Sequence, residues 1–322
     1  MKDYITKLLP LVQNICIECR QRITKKNVIY YIEVNSNVSG FFALLRGALD
    51  LCCYADENGF FPYIKYGKET LYSEKALFLG TSNPFEYYYI QPISICQKPD
   101  IMWGNIIKSQ QIHADLIEYK YNFKPFSYLV ESSYIEQMAV VYKKYMRLNE
   151  KTKTIVEQRI RKKLKEKKTL GVHIRGTDFY KEFNNHPVPV TVDEYAEVIN
   201  REVEHHHFMQ VFIATDDVRC LKELEKKVSV PLVYYKNTMR ASSNKSVAFE
   251  KNNRKYNNYL LGLEVLTDAY TLSSCQGLIG CLSQVDIFVQ IIKKSRGERF
   301  DPLCIISKGI VNNNRQCWEP NN

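Results

Sequence analysis

Between residues 170 and 306, short apolar runs and longer helical runs take turns, and this alternation restricts the fold more than any other feature of the chain. Residues 170–174, 211–215, 231–235, 277–282 and 303–306 have the length and apolar content of strands. Helical stretches at 193–204, 218–227, 258–274 and 284–294 separate them. Strands and helices in this order build βαβ units on a parallel sheet, which predicts the α/β class. The first half is less regular. Residues 28–32 and 61–66 read as strands around a helix that starts at Gly40 and runs to about Asp56. Residues 67–125 read as aromatic loop, and 132–167 as mostly helical. A chain of 322 residues is long for one core. The reading is two Rossmann-like domains, 1–165 and 166–322, whose sheet ends face a cleft.

The first strand of the second half ends abruptly in charge, at Gly171-Val172-His173-Ile174-Arg175-Gly176-Thr177-Asp178. Alternation along a strand puts Leu170, Val172 and Ile174 on one face and His173 and Arg175 on the other. Ligands bind open α/β sheets at the carboxyl ends of strands. A guanidinium there suits phosphate oxygens, which it grips bidentately; a core strand whose arginine meets a surface carboxylate is the plainer alternative. Two further strand ends are polar in the same way. Asp216-Asp217 follow the second strand, and Ser283 follows the fourth, placed to cap the next helix. Amides at such a helix start attract anions. Three polar strand ends on one sheet edge favour a nucleotide-diphosphate site over three unrelated caps.

Other chemistries fit less well. No GxGxxG and no Walker A sequence is present. The lone CxxC at Cys16 and Cys19, and the adjacent Cys52-Cys53, find no second pair to complete a zinc site. His205-His206-His207 reads as a surface run rather than a metal site. The net charge of +10 is concentrated in runs such as 161–168, which read as a solvated helix face or linker. An anionic membrane surface is the second reading of that run, and no nucleic-acid module accompanies it. The 23 tyrosines, some clustered as Tyr87-Tyr88-Tyr89, are compatible with a carbohydrate site but more often serve a core. Residues 1–23 are apolar and basic but interrupted by Pro10, and they read as packing on the domain. Ten scattered cysteines, without a cleavable signal or a long apolar run, predict a reducing cytoplasm, with peripheral contact at the inner membrane face left open.

Taken in order, these motifs resemble the α1,6-fucosyltransferases, both the animal core-fucosylating enzymes and the bacterial nodulation-factor enzymes. His173-Ile174-Arg175-Gly176-Thr177-Asp178, His186-Pro187, Tyr195, Ala214-Thr215-Asp216-Asp217, Asp268 to Ser273 and Leu282-Ser283-Gln284-Val285 carry the resemblance over about residues 168–295. Ser39-Gly40-Phe41-Phe42 resembles the degraded glycine-rich turn of that superfamily, and Asn83 to Tyr88 a loop of its bacterial members.

The resemblance implies a GT-B glycosyltransferase that inverts, needs no metal or cofactor, and transfers fucose from GDP-fucose to a glycan such as a surface polysaccharide or lipid-linked oligosaccharide. It assigns the acceptor to the first domain and the donor to the second. Arg175 would bind the β-phosphate, His173 and Asp268 guanine, and Asp216 and Asp217 would organise the donor site. Ser283 would hold phosphate, with Gln284 beside it in the donor set. The general base would be Glu182, with Asp178 as its rival. The family has a second arginine where this chain has Gly176. Lys181, Arg240 or Arg254 would replace its charge, or the donor would be another GDP-linked sugar (a deoxyhexose or heptose), or the protein would be a silent binder on the same fold.

Overall fold

The computed structural model describes residues 28–95, 106–109, 127–250 and 252–315. The Cys16–Cys19 pair and the apolar segment 1–23 lie outside the described residues. The chain forms two compact units, divided between Asn149 and Glu150.

The first unit carries β1 (Ile29–Val34), helix α1 (Phe41–Glu57), β2 (Phe61–Tyr66), β3 (Ile106–Lys108) and helix α2 (Ser132–Tyr145). Its parallel sheet has the order β2-β1-β3, with Ile29 opposite Phe61 and Ile106. β3 lies within the stretch that reads from sequence as loop. A strand of 3 residues inside an aromatic run leaves too short an alternation to detect. Gly40 starts α1 without a side-chain cap. Tyr87, Tyr88 and Tyr89 are core residues, all but fully buried. Tyr88 meets Phe41 edge-on at 5.1 Å and Tyr89 stacks on Phe85 at 5.2 Å. The tyrosine cluster therefore builds the unit and leaves no ring for a sugar.

The edge of β2 is covered by side-chain amides instead of another strand. Asn83 Nδ2 donates to the carbonyl of Ile64 at 2.8 Å, and its Oδ1 accepts from Tyr66 N at 2.9 Å. Gln91 repeats the pattern, with Oε1 accepting from Ile64 N and Nε2 donating to Ile64 O. Glu86 ties both amides together, accepting from Asn83 at 3.2 Å and Gln91 at 2.8 Å. The segment Asn83-Pro84-Phe85-Glu86 thus blocks a free strand edge, which would otherwise recruit another chain.

The second unit carries α3 (Glu150–Leu164), β4 (Thr169–Ile174), α4 (Val192–His206), β5 (Gln210–Thr215), α5 (Val218–Leu224), β6 (Leu232–Val233), α6 (Asn257–Ser274), β7 (Gly277–Cys281), α7 (Gln284–Ser295) and β8 (Leu303–Ile306). The helical run expected over 132–167 is two helices, α2 and α3. Between them the chain extends, with Ile90 N donating to Arg147 O and Asn149 N to Tyr88 O. That pairing ends the first unit, and α3 packs on α6 of the second. The division therefore falls ahead of α3, whereas the sequence pattern places it near residue 165.

All five strands of the second sheet are parallel, in the order β6-β5-β4-β7-β8. In chain order that is third, second, first, fourth, fifth. The order reverses between β4 and β7, and such a switch point opens a crevice at the strands' carboxyl ends. β4, β5 and β7 are buried along their whole length. Leu170, Val172 and Ile174 pack with Tyr195, Ile199, Val203, Leu221 and Leu224 of α4 and α5. On the other face a Cβ at Gly171 would lie 3.2 Å from Leu272 and Cys275, so that glycine lets α6 sit close to the sheet. α4 opens with a capping box, in which Thr191 Oγ1 accepts from Glu194 N and Glu194 accepts from Thr191 N.

Candidate functional site

The three polar strand ends converge at this reversal. β4 delivers His173 and Arg175, β5 delivers Asp216 and Asp217, and β7 leads into Ser283 at the start of α7.

Arg175 lies between two carboxylates. Its Nη1 donates to Asp216 Oδ2, and its Nη2 donates to Asp178 Oδ1 at 2.7 Å. Thr177 Oγ1 also reaches both carboxylates, at 2.9 Å to Asp178 and 2.8 Å to Asp216. The guanidinium lies over the Phe179 ring at 5.0 Å. Arg175 is one-quarter exposed, so a ligand can reach it.

Asp216 and Asp217 point to different partners. Asp216 Oδ1 accepts from Gly176 N at 2.9 Å while Oδ2 holds Arg175. Asp217 is buried; it caps α5 by accepting from Arg219 N at 2.8 Å and pairs with the Arg219 guanidinium. Asp216 belongs to the site, and Asp217 to the helix that begins there. Gly176 runs directly against this pair. A Cβ at Gly176 would lie 2.6 Å from Asp217 Cβ, so no side chain fits where the family places its second arginine.

Asp268 sits on α6, buried, with its Oδ1 lacking any hydrogen-bond partner. Burial pushes its carboxyl up to about 7, against the opposing pull of the Arg240 guanidinium. Arg240 hangs on backbone carbonyls: Nε donates to Thr215 O at 3.1 Å, and Nη1 to Tyr235 O and Thr238 O at 3.0 and 3.2 Å. Its Nη2 is buried with no hydrogen-bond partner, and the guanidinium lies over the Tyr234 ring at 5.3 Å. The loop bearing Arg240 is pinned to the end of β5, where Ala241 N donates to Asp216 O at 2.8 Å. Arg254 pairs with Glu264, one helical turn before Asp268, at 2.5 Å. Both arginines thus belong to the α6 side of the site. Lys181 lies near Phe183, its ammonium 5.9 Å from the ring centre.

Ser283 caps α7 by accepting from Asp286 N at 3.1 Å, and its hydroxyl donates to Asp286 Oδ2 at 2.7 Å. The hydroxyl is therefore spent inside the protein, and the anion-attracting groups at this helix start are its amides. Gln284 follows at the first helical position, half-buried. Asp286 also meets His173 Nδ1 at 2.8 Å. Sequence pattern does not single out Asp286, which looks there like an ordinary acidic residue in a first helical turn. The signal that could have found it is Gly280, six residues earlier on the strand.

Glu182 is exposed, with no side-chain partner among the described residues; its backbone closes the turn after β4 with φ of 51°. His186 lies edge-on to Phe179 and Phe183. Two groups among the described residues carry donor atoms within 4.8 Å of one another, as a metal would need: His173, Cys281 and Asp286, and Glu202, His205 and His206. The second includes two members of the histidine run, at the end of α4.

A family model for the alpha-(1,6)-fucosyltransferase N- and catalytic domains matches residues 129–289, half of the chain. The chain belongs to this family. The match begins just before α2 and ends within α7, so it spans every strand end of the site. Among solved structures, POFUT1 in complex with GDP is similar over 87% of this chain and 98% of that chain, at 11% identity and a TM-score of 0.51. Fucosyltransferase NodZ from Bradyrhizobium is similar over 84% of this chain and 92% of that chain, at 11% identity and a TM-score of 0.47. Among curated protein sequences, none matches the chain. The POFUT1 likeness is one of fold, and it agrees with the expected GT-B α/β class. Family membership makes the protein a glycosyltransferase of the fucosyltransferase type.

Proposed function

We propose that the second unit binds GDP-fucose and that the protein transfers fucose to a glycan with inversion and without a metal ion. One observation carries this reading: two buried polar atoms without partners, Arg240 Nη2 and Asp268 Oδ1, belong to groups whose charges act on each other. A buried polar atom without a partner costs about 1–3 kcal/mol, so the pair is explained by a ligand that satisfies both. Guanine does so with one edge. Its O6 accepts from a guanidinium, and its N1–H and 2-amino group donate to a carboxylate and to an imidazole nitrogen. Adenine presents the opposite order. His173, near enough to Asp268 to act on its titration, adds the second acceptor. The diphosphate would take Arg175 from its carboxylates, with the amides at the start of α7 below it.

The acceptor hydroxyl attacks the anomeric carbon as the bond to the β-phosphate oxygen breaks, and a base takes the hydroxyl proton. Of the two carboxylates expected for that role, Asp178 has an oxygen already held by Arg175 and Thr177. Glu182 is open to solvent, and it is the base this arrangement favours. Asp216 and Asp217 are each occupied by a different arginine, Arg175 and Arg219, which supports a reaction without a metal ion between them. Among the described residues, the free thiols of Cys220, Cys275, Cys281 and Cys304 support a reducing, cytoplasmic setting. Among the described residues, no helix is long and apolar enough to cross a membrane. A second reading, transfer of another GDP-linked sugar, is favoured by Gly176 and leaves the guanine subsite unchanged.

The test is thermal shift with GDP, UDP and ADP, followed by transfer from GDP-fucose with and without EDTA. GDP alone stabilises, turnover survives EDTA, and Arg175→Ala lowers turnover by about 10²–10³-fold, as loss of one preorganised donor does. Stabilisation by UDP, or strict dependence on Mn²⁺, would overturn the reading.

A further inference from the structure

Asp286 takes no part in the transfer chemistry above, yet the site is built around it. It lies in the first turn of α7 with 1% exposure. Its Oδ2 accepts from Ser283 Oγ at 2.7 Å and from Cys281 N at 3.2 Å, and meets His173 Nδ1 at 2.8 Å. Strand β7 has no side chain where the carboxylate enters, because a Cβ at Gly280 would lie 2.2 Å from Asp286 Oδ1. Ser283 lies only 3.4 Å from His173 Nδ1, but its one hydrogen points to Asp286.

An ionised carboxylate only accepts hydrogen bonds. The hydrogen shared by His173 and Asp286 therefore sits on Nδ1. When the ring is neutral, that leaves a bare lone pair on Nε2. The group that one ring nitrogen bonds sets what the other can do.

We propose that Asp286 is a positioning residue. It holds His173 as the Nδ1–H tautomer, so that Nε2 accepts from the exocyclic 2-amino group of guanine and helps choose the base. This rests on reading the second unit as a guanine-nucleotide site. With the opposite tautomer Nε2 would carry a hydrogen, and the 2-amino group would meet a donor instead of an acceptor.

Two measurements on the full chain test this. Two-bond ¹H–¹⁵N correlation spectra at about pH 8 report the tautomer of each neutral histidine, with the His173 signal identified by its loss in His173→Gln. Calorimetry compares GDP with IDP, which lacks only the 2-amino group. In the wild type, His173 is the Nδ1–H tautomer and GDP binds tighter than IDP. In Asp286→Leu the tautomer shifts to Nε2–H and the preference for GDP narrows by about 3- to 10-fold, the worth of one neutral hydrogen bond. IDP affinity stays as it was. Gly280→Ala, which pushes the carboxylate away, does the same and serves if Asp286→Leu fails to fold. Asp286→Asn keeps an accepting oxygen and restores both readouts.

An Nε2–H tautomer in the wild type overturns the proposal. So does an unchanged GDP preference in a variant whose tautomer has moved, or equal weakening of GDP and IDP. A wild type that binds neither nucleotide overturns the donor reading and the base choice with it. The spectra would then still show whether Asp286 sets the tautomer.

Discussion

At the scale of single residues, the site is defined as much by missing side chains as by present ones. Gly176 departs from the family pattern because Asp217 occupies the space beside it, and Asp217 is immobilised by capping α5 and holding Arg219. Gly176→Ala should therefore destabilise the second unit by about 1–3 kcal/mol, as overpacking does, and lower the midpoint of a calorimetric melt. Writing in the family's arginine would injure this fold rather than complete its site. Asp268 makes a prediction about pH. Burial raises its carboxyl from 3.8 to about 7, so the folded protein holds that proton more tightly than the unfolded chain. Its contribution to stability is full below the unfolded value and is lost as pH rises through about 7. Guanine needs the ionised form. GDP affinity should accordingly rise with pH toward about 7 and level off above it, with proton release on binding inside that window. Calorimetry in buffers of different ionisation enthalpy reads this directly; a flat profile would remove Asp268 from the base site.

At the scale of elements, the strand ends are legible in the sequence and the contacts that secure them are not. Leu170, Val172 and Ile174 alternate against His173 and Arg175, so the arginine at the strand end can be read from period alone. The same holds for Asp216 after β5 and Ser283 before α7, since caps announce themselves by position. Their partners come from far along the chain. Asp286 lies 113 residues after His173, and no local pattern joins the two. Arg240 reads only as a spare charge, because its carbonyl partners belong to backbone that the sequence does not place. Asn83 and Gln91 are equally opaque, since amides standing in for a strand leave no alternation to read. Their role makes a prediction. Asn83→Ala strips the partner from Tyr66 N at the edge of β2 and should destabilise the first unit by about 1–3 kcal/mol in chemical denaturation. No loss of stability would mean that the edge is covered some other way.

At the scale of the whole molecule, the chain is two units with separate sheets. Every residue of the proposed base and phosphate subsites lies after Asn149, so hydrogen exchange with and without GDP should show direct protection at the ends of β4 and β5 and at the start of α7. At about 100 times its dissociation constant, GDP should add about 2.7 kcal/mol to the stability of that unit. Protection centred on β1 and β2 instead would misplace the donor. The net charge of +10 attracts anions of every kind, yet the arginine at the strand end is already matched by Asp178 and Asp216. Loose phosphate thus finds no vacant cation there and must evict two carboxylates to enter. On the proposed reading, a diphosphate anchored through its base would arrive at high local concentration and win that exchange, so the clamp on Arg175 would act as a sieve against the cell's small anions.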